Sequence, residues 1–242
     1  MRQIISSIDI GSSSIKIVVG EMVKNKLNIL AVSDTPSLGI NKGLIVNAKD
    51  FIDSLKKGLN KAEETIGLKI KKTIVNIPAN NANFYITEGS TTITNEDHIV
   101  TGNDIARALQ GCVYNKFKSS EELISIMPIY FLINDETKVK DPKNIIANKL
   151  TAKSVIVTTP KKNVYSVLTC LEKLNIEVID ITLNNIGDYY ANNYNDLNDK
   201  VGAIVNIGHE TTTVSIFNKG VLTNTNIIDL GGKNVENDIS FI

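Results

Sequence analysis

The chain has 242 residues, enough for one large domain or two small ones. Hydrophobic residues make up 42% and charged residues 21%, an ordinary globular balance. Lys+Arg and Asp+Glu both number 26, so no net charge favours nucleic acid or an anionic membrane as a general partner. The two cysteines, Cys112 and Cys170, lie far apart and fit no metal spacing, so they read as free thiols in a reducing cytosol. Ser6, Ser7 and Asp9 interrupt the N-terminal apolar stretch before it reaches signal-peptide length. No run approaches the ~20 apolar residues of a membrane span.

In chain order, Ile4 to Ile8 and Ile15 to Val19 read as strands from their length and β-branched content. Between them lies Asp9-Ile10-Gly11-Ser12-Ser13-Ser14-Ile15-Lys16. Gly11 and three serines make a tight hairpin turn. Such a turn can aim backbone N–H groups and small hydroxyls at one point, as a phosphate chain requires. Asp9 ends the first strand and can hold a hydrated Mg²⁺. Lys16 begins the second and can reach a phosphate as a point charge. Taken alone, the segment is equally an ordinary Ser-rich hairpin with a surface lysine.

A third strand spans Leu27 to Ser33, followed by a loop with two glycines, Gly39 and Gly43. Asn47 caps the next helix with Asp50 as its box partner. Phe51, Leu55, Leu59, Ala62 and Ile66 form its apolar stripe, and Gly67 ends it. Lys56, Lys57 and Lys61 lie on the other side as a solvated face. Thr73 to Ile77 is a strand stopped by Pro78.

From Asn83 to about Thr158 the character changes. Short β segments at Phe84 to Thr87 and Thr91 to Thr94 precede a helix from about Asn103 to Tyr114. Leu123 to Ile126 and Ile129 to Ile133 read as strands broken by Pro128, and Lys153 to Val157 as another. This is a small α+β module inserted into the rest. His98 reads as a surface residue, with no second His or Cys near it in sequence. Thr159 and Pro160 then open a helix as cap and first residue. Val164, Val167, Leu168, Leu171 and Leu174 form its stripe. A strand at Glu177 to Leu183 and a helix from Asn185 to about Asp196 follow.

A second copy of the first motif now appears. Asn206-Ile207-Gly208-His209-Glu210-Thr211-Thr212-Thr213 lies between apolar runs, and Asp9 and Gly11 correspond to Asn206 and Gly208 at one common offset. The internal repeat predicts two similar half-domains whose hairpins clamp a nucleotide's phosphates from both sides. Val221 to Ile228 and a Gly231-Gly232 turn leading into a helix complete the chain. That turn is a further place for a phosphate or sugar to meet backbone N–H groups.

Hairpin, long insert and hairpin resemble the actin-like (ribonuclease H-like) ATPase fold. With Gly39-Ile40-Asn41-Lys42-Gly43-Leu44-Ile45, Ile126-Met127-Pro128-Ile129-Tyr130-Phe131 and Val139-Lys140-Asp141-Pro142, the whole chain is similar to the FtsA family of bacterial cell-division proteins. The first motif alone marks only the wide superfamily of actins, sugar kinases and heat-shock chaperones. The inserted module, similar to FtsA subdomain 1C, is more specific. The resemblance implies an α/β actin-like fold with residues 1–82 and 159–198 as subdomain 1A, 83–158 as 1C, and 199–242 as part of 2A. It implies ATP and Mg²⁺ as cofactors. Asp9 would lie near the metal, Gly11, Ser12, Ser13, Ser14 and Lys16 would hold phosphates, Gly208, Thr211 and Thr212 would hold them from the other side, and Gly231 and Gly232 would lie near the nucleoside. It also implies filaments formed through the 1C-type module, FtsZ and other division proteins as partners, and a place at the inner face of the membrane, reached through a C-terminal amphipathic helix. A PilM-like adaptor of pilus assembly is the near alternative, and a small-molecule kinase the distant one.

Departures from the family pattern fall on the hydrolytic side. Asn206 stands where the family has Asp, His209-Glu210 where it has Gly-Gly, and Asn184 where Glu or Gln is common. Side chains at 209 and 210 would crowd the phosphates, and Glu210 would add like charge. A neutral amide at 184 orients water poorly. The expectation is at most a weak ATPase, with His209 a poor candidate base. No counterpart of subdomain 2B or of the membrane helix is found, so the chain reads as a fragment or a reduced relative with exposed strand edges and apolar faces.

Overall fold

The computed structural model describes residues 3–192 and 195–240. Strands β1 (Gln3–Ile10), β2 (Ser14–Val23) and β3 (Lys26–Pro36) form an antiparallel meander. Their alternation is strict where it matters: Ile8, Ile10, Ile15, Ile17 and Val19 are buried while the intervening residues face away. Two-residue strands β4 (Ile40–Asn41) and β5 (Leu44–Ile45) pair within the glycine loop. Helix α1 (Ala48–Ile66) begins at Asn47, whose side chain accepts from the N–H groups of Lys49 and Asp50, and ends at Gly67 in the left-handed conformation. It buries Phe51, Leu55, Leu59 and Ala62 on the sheet, as its spacing predicts, with Lys56, Lys57 and Lys61 exposed. Strand β6 (Lys72–Ile77) then runs parallel to β1.

The inserted module comprises β7 (Asn83–Thr92), α2 (Gly102–Gly111), β8 (Glu121–Ile133), β9 (Thr137–Val139) and β10 (Lys149–Pro160). Its sheet has the order β7-β10-β8-β9 and its own apolar core around Ile93, Val100, Leu150 and Ile156. Three sequence expectations are corrected here. The two short segments before α2 are one continuous strand. Pro128 does not break β8: the register shifts beside it, and β9 reaches only Phe131 to Ile133. At Pro128 the strand is therefore an edge, where a missing N–H is tolerated. Thr159 stays in β10 rather than capping a helix, and Pro160 is a cap residue without a side-chain cap bond.

Helix α3 (Lys161–Glu172) packs on α1 and buries Val164, Val167, Cys170 and Leu171. Cys170 and Cys112 are both free and buried. Strand β11 (Glu177–Leu183) joins β6 in parallel, giving a five-stranded sheet of order β11-β6-β1-β2-β3. Helix α4 (Asn184–Asn192) starts one residue earlier than predicted. The remainder of its predicted span includes residues 193 and 194, which lie outside the described residues, and a 3-10 turn at Asn195–Asn198. Strands β12 (Val201–Ile207), β13 (Thr212–Asn218) and β14 (Val221–Ile228) form a separate antiparallel sheet, followed by α5 (Gly232–Ser240). Phe217 and Leu222 of this sheet join the main core, while Val201, Val205 and Ile207 of its edge strand β12 are exposed.

Module packing depends on a close approach that composition does not reveal. A Cβ on Gly89 of β7 would lie 2.3 Å from both the Ala108 carbonyl oxygen and the Cys112 nitrogen of α2 and its cap. The helix therefore sits directly on the strand backbone. Gly89→Ala is expected to destabilise the protein by ~1–3 kcal/mol, the usual cost of forcing extra volume into a packed contact. Chemical denaturation of the two proteins measures it.

Candidate functional site

The same turn is built twice. In the β1–β2 hairpin Gly11 N donates to Ser14 O at 3.2 Å, and in the β12–β13 hairpin Gly208 N donates to Thr211 O at 2.9 Å. A Cβ would lie 2.8 Å from Ser14 O at Gly11 and 2.9 Å from Thr211 O at Gly208. Both turns therefore need glycine for closure rather than for an unusual φ. Neither the Ser12 and Ser13 nor the His209 and Glu210 N–H groups find a backbone acceptor among the described residues. Those are the donors that a phosphate oxygen could accept from.

The two turns face one cavity of about 190 Å³. Asp9, Gly11, Ser12, Ser13, Ser14 and Lys16 line it from the first half, and Asn206, Gly208, His209 and Thr211 from the second. Asn184 lines it from the start of α4. These predicted residues are brought together. Thr212, Gly231 and Gly232 are not among the lining residues. Thr212 donates through its hydroxyl to Leu230 O, and Gly232 N donates to Gly208 O at 2.8 Å. A Cβ on Gly231 would stand 2.5 Å from His209 O. The Gly-Gly turn thus buttresses the second hairpin from behind. A volume of 190 Å³ is below the ~300 Å³ at which drug-sized pockets begin, and matches a phosphate group better than a whole nucleotide.

One predicted effect is corrected by the geometry. Glu210 does not aim its charge at the cavity. Its carboxylate accepts from Lys42 N at 2.7 Å and from Lys233 Nζ at 2.9 Å. Burial pushes this carboxyl up, but the bonds from Lys233 and the Lys42 backbone, with the charges of Lys233 and His209, outweigh it and hold it below its ordinary value. Lys42 also pairs with Asp229 at 2.9 Å, and the next residue donates from Gly43 N to Ser12 Oγ at 2.9 Å. Gly43, at φ +77°, and Pro78 also line the cavity, with Ile10 and Thr213. The glycines of this loop were visible in the sequence, but its contact with residue 210 spans the whole fold.

Asp9 is dominated by burial, which raises its carboxyl; Lys16 lowers it and the charge of Asp188 raises it again. Asp188 was missed in the sequence. It lies four residues after Asn184, on the same face of α4, and that spacing was the available signal. Asn206 Nδ2 donates to its carboxylate at 2.8 Å. The donor set suits a hydrated divalent cation and a phosphate: one carboxylate at Asp9, small hydroxyls, a lysine, and backbone N–H groups at two turns.

Comparison with known proteins follows the same lines. Residues 80–158 match the model of the SHS2 domain inserted in FtsA, and they coincide with the four-stranded sheet and α2. The chain is 31% identical to the cell division protein FtsA of Bacillus subtilis over 234 residues, which is 97% of this chain and 53% of that protein. It is 25% identical to FtsA of Streptococcus pneumoniae over 97% of the chain and 51% of the relative. It spans about half the length of the curated relatives it matches. A PilM-PilN type IV pilus biogenesis complex superposes with a TM-score of 0.64 at 14% identity, over 98% of this chain and 65% of that one. The ethanolamine utilization protein EutJ from Carboxydothermus hydrogenoformans gives 0.56 at 13%, over 99% and 56%. The fold is actin-like, with an SHS2 domain inserted between β6 and α3.

The Glu210 contacts predict a pH dependence. A carboxyl held below its ordinary value of 4.5 stabilises the fold above that pH, and the contribution disappears as pH falls through its lowered value. Glu210→Gln should therefore be less stable than wild type at pH 7 and indistinguishable from it in strong acid. Urea denaturation across pH measures the gap.

Proposed function

We propose that this FtsA-like chain is the nucleotide-holding part of a cell-division protein of actin-like fold, binding Mg²⁺-ATP or Mg²⁺-ADP by its phosphates. The observation that carries this reading is the pair of glycine turns, alike in build, that face one cavity. In the proposed complex the N–H groups of both turns, with the hydroxyls of Ser12, Ser13, Ser14 and Thr211, hold phosphate oxygens. Lys16 adds a positive charge. Asp9 holds water on the metal, and the Mg²⁺ it retains neutralises phosphate charge when bound.

Turnover is proposed to be slow. Asn184 and Asn206, the cavity side chains proposed to face an attacking water, are neutral amides and cannot take its proton. His209 lines the cavity, but Glu210 is engaged with Lys42 and Lys233 rather than with its imidazole. The site is thus suited to a nucleotide-dependent structural state more than to catalysis.

Residues 1–82 with 159–198 are proposed as one actin-like subdomain, 83–158 as the polymer-contact module, and 199–242 as part of the facing subdomain. Filament formation, FtsZ and other division proteins as partners, and a site at the inner face of the membrane at the septum belong to the same proposal. The similarity to cell division protein FtsA over 97% of the chain supports them.

Titration calorimetry with Mg²⁺-ATP tests the reading. Wild type should bind saturably, and Asp9→Ala should bind ~10-fold or more weakly, as loss of a group supporting a metal usually does. A folded wild-type chain that takes up no nucleotide would overturn it.

A further inference from the structure

The two hairpins are alike in backbone but not in charge. At the position where the first turn carries the Asp9 carboxylate, the second carries the Asn206 amide. An amide is ambivalent, since it offers two donors or one acceptor oxygen depending on which way it is turned. Here the ambiguity is removed. Asn206 Nδ2 is committed to Asp188 Oδ2 at 2.8 Å, which leaves Oδ1 as the group available to the cavity that Asn206 lines.

Asp188 itself comes from α4, one helical turn after the cavity residue Asn184. Its place is defined by its neighbours. Behind it, Asn185 is buried and donates to Ser215 Oγ at 3.1 Å and Thr225 Oγ1 at 2.6 Å, which fixes α4 against the second sheet. One residue further on, Tyr189 stacks on Phe217 with ring centroids 4.6 Å apart. The helix segment carrying Asp188 is therefore held on both sides, which keeps the Asp188 backbone beside β12 and its carboxylate within hydrogen-bond reach of Asn206. Its charge is felt as far as Asp9.

We propose that Asp188 and Asn206 act together as the second carboxylate of the site. Asp188 turns the amide so that its carbonyl oxygen accepts from water on the nucleotide's divalent cation, and it supplies the negative charge that the amide lacks. Asp188 is thus a positioning residue that acts through Asn206. The inference rests on the nucleotide reading above and deepens it. A hydrogen-bonded partner behind a metal-facing group is the usual means of orienting that group and tuning its affinity.

The test is a charge relocation. Binding of ADP is measured by calorimetry with Mg²⁺ and with EDTA, for wild type, Asp188→Asn, Asn206→Asp and the double variant D188N/N206D. Asp188→Asn should bind Mg²⁺-ADP ~10-fold more weakly, with its affinity in EDTA unchanged. Asn206→Asp should not lose Mg²⁺-ADP affinity, because the two carboxylates that then meet at hydrogen-bond distance repel each other in the empty site and a divalent cation relieves that repulsion. The double variant moves the charge onto residue 206 and the amide onto 188, and should regain wild-type Mg²⁺-ADP affinity. A purely structural role for the pair would lower affinity equally with and without Mg²⁺, and that result would overturn the inference. So would Asp188→Asn binding Mg²⁺-ADP like wild type, or a double variant no better than Asp188→Asn. A folded wild type that binds no ADP at all would instead overturn the nucleotide reading itself, and the pair's role with it.

Discussion

Through its carboxylate, Glu210 ties together, beside the cavity, the two parts of the molecule that face each other. Its carboxylate accepts from the backbone of Lys42 in the first half and from the ammonium of Lys233 in the second. The two hairpins belong to separate sheets with no strand pairing between them, so backbone ladders alone cannot set their distance. The Glu210 side chain is 15% exposed, while that of Lys233 is 50% exposed. The contact differs from the neighbouring Lys42–Asp229 pair, whose side chains are 48% and 65% exposed, in having its carboxylate withdrawn from solvent and bonded to a backbone N–H as well as to an ammonium. Asn185 makes the matching tie at the other end of the interface, where α4 leaves the first sheet and enters the second.

What the two halves enclose is small and one-sided in character. Glycines let the chain close both turns, and each closure leaves two N–H groups without a backbone acceptor among the described residues. Negative charge is supplied by Asp9 and, one shell back, by Asp188. Two neutral amides, Asn184 and Asn206, line the same cavity. That composition is the basis of the proposed reading, in which a metal and phosphates are held rather than turned over. That suits a protein whose relatives are named for cell division and whose inserted SHS2 domain takes up about a third of the chain.

Local chemistry was readable in the sequence, and long-range pairing was not. The hairpins showed themselves because a glycine and small hydroxyls sit between β-branched runs, and the common offset of Asp9 with Asn206 and Gly11 with Gly208 exposed the repeat. The buried stripe of α1 followed from its spacing alone. Pro128 misled because its cost depends on whether the strand has a neighbour on both sides at that point, a property of the sheet and not of the residue. Thr159 misled because its strand continues through it. Gly89 gave no sign that a helix backbone rests on it. Glu210 looked repulsive in isolation and became a tie once Lys42, 168 residues away in sequence, was beside it.

Hydrogen–deuterium exchange of the whole chain with and without Mg²⁺-ADP tests most directly the claim that both turns hold one ligand. Slowed exchange at residues 11–14 and at 208–211 together, with residues 83–158 unchanged, is the predicted result. Protection of only one turn, or of neither, would contradict the account.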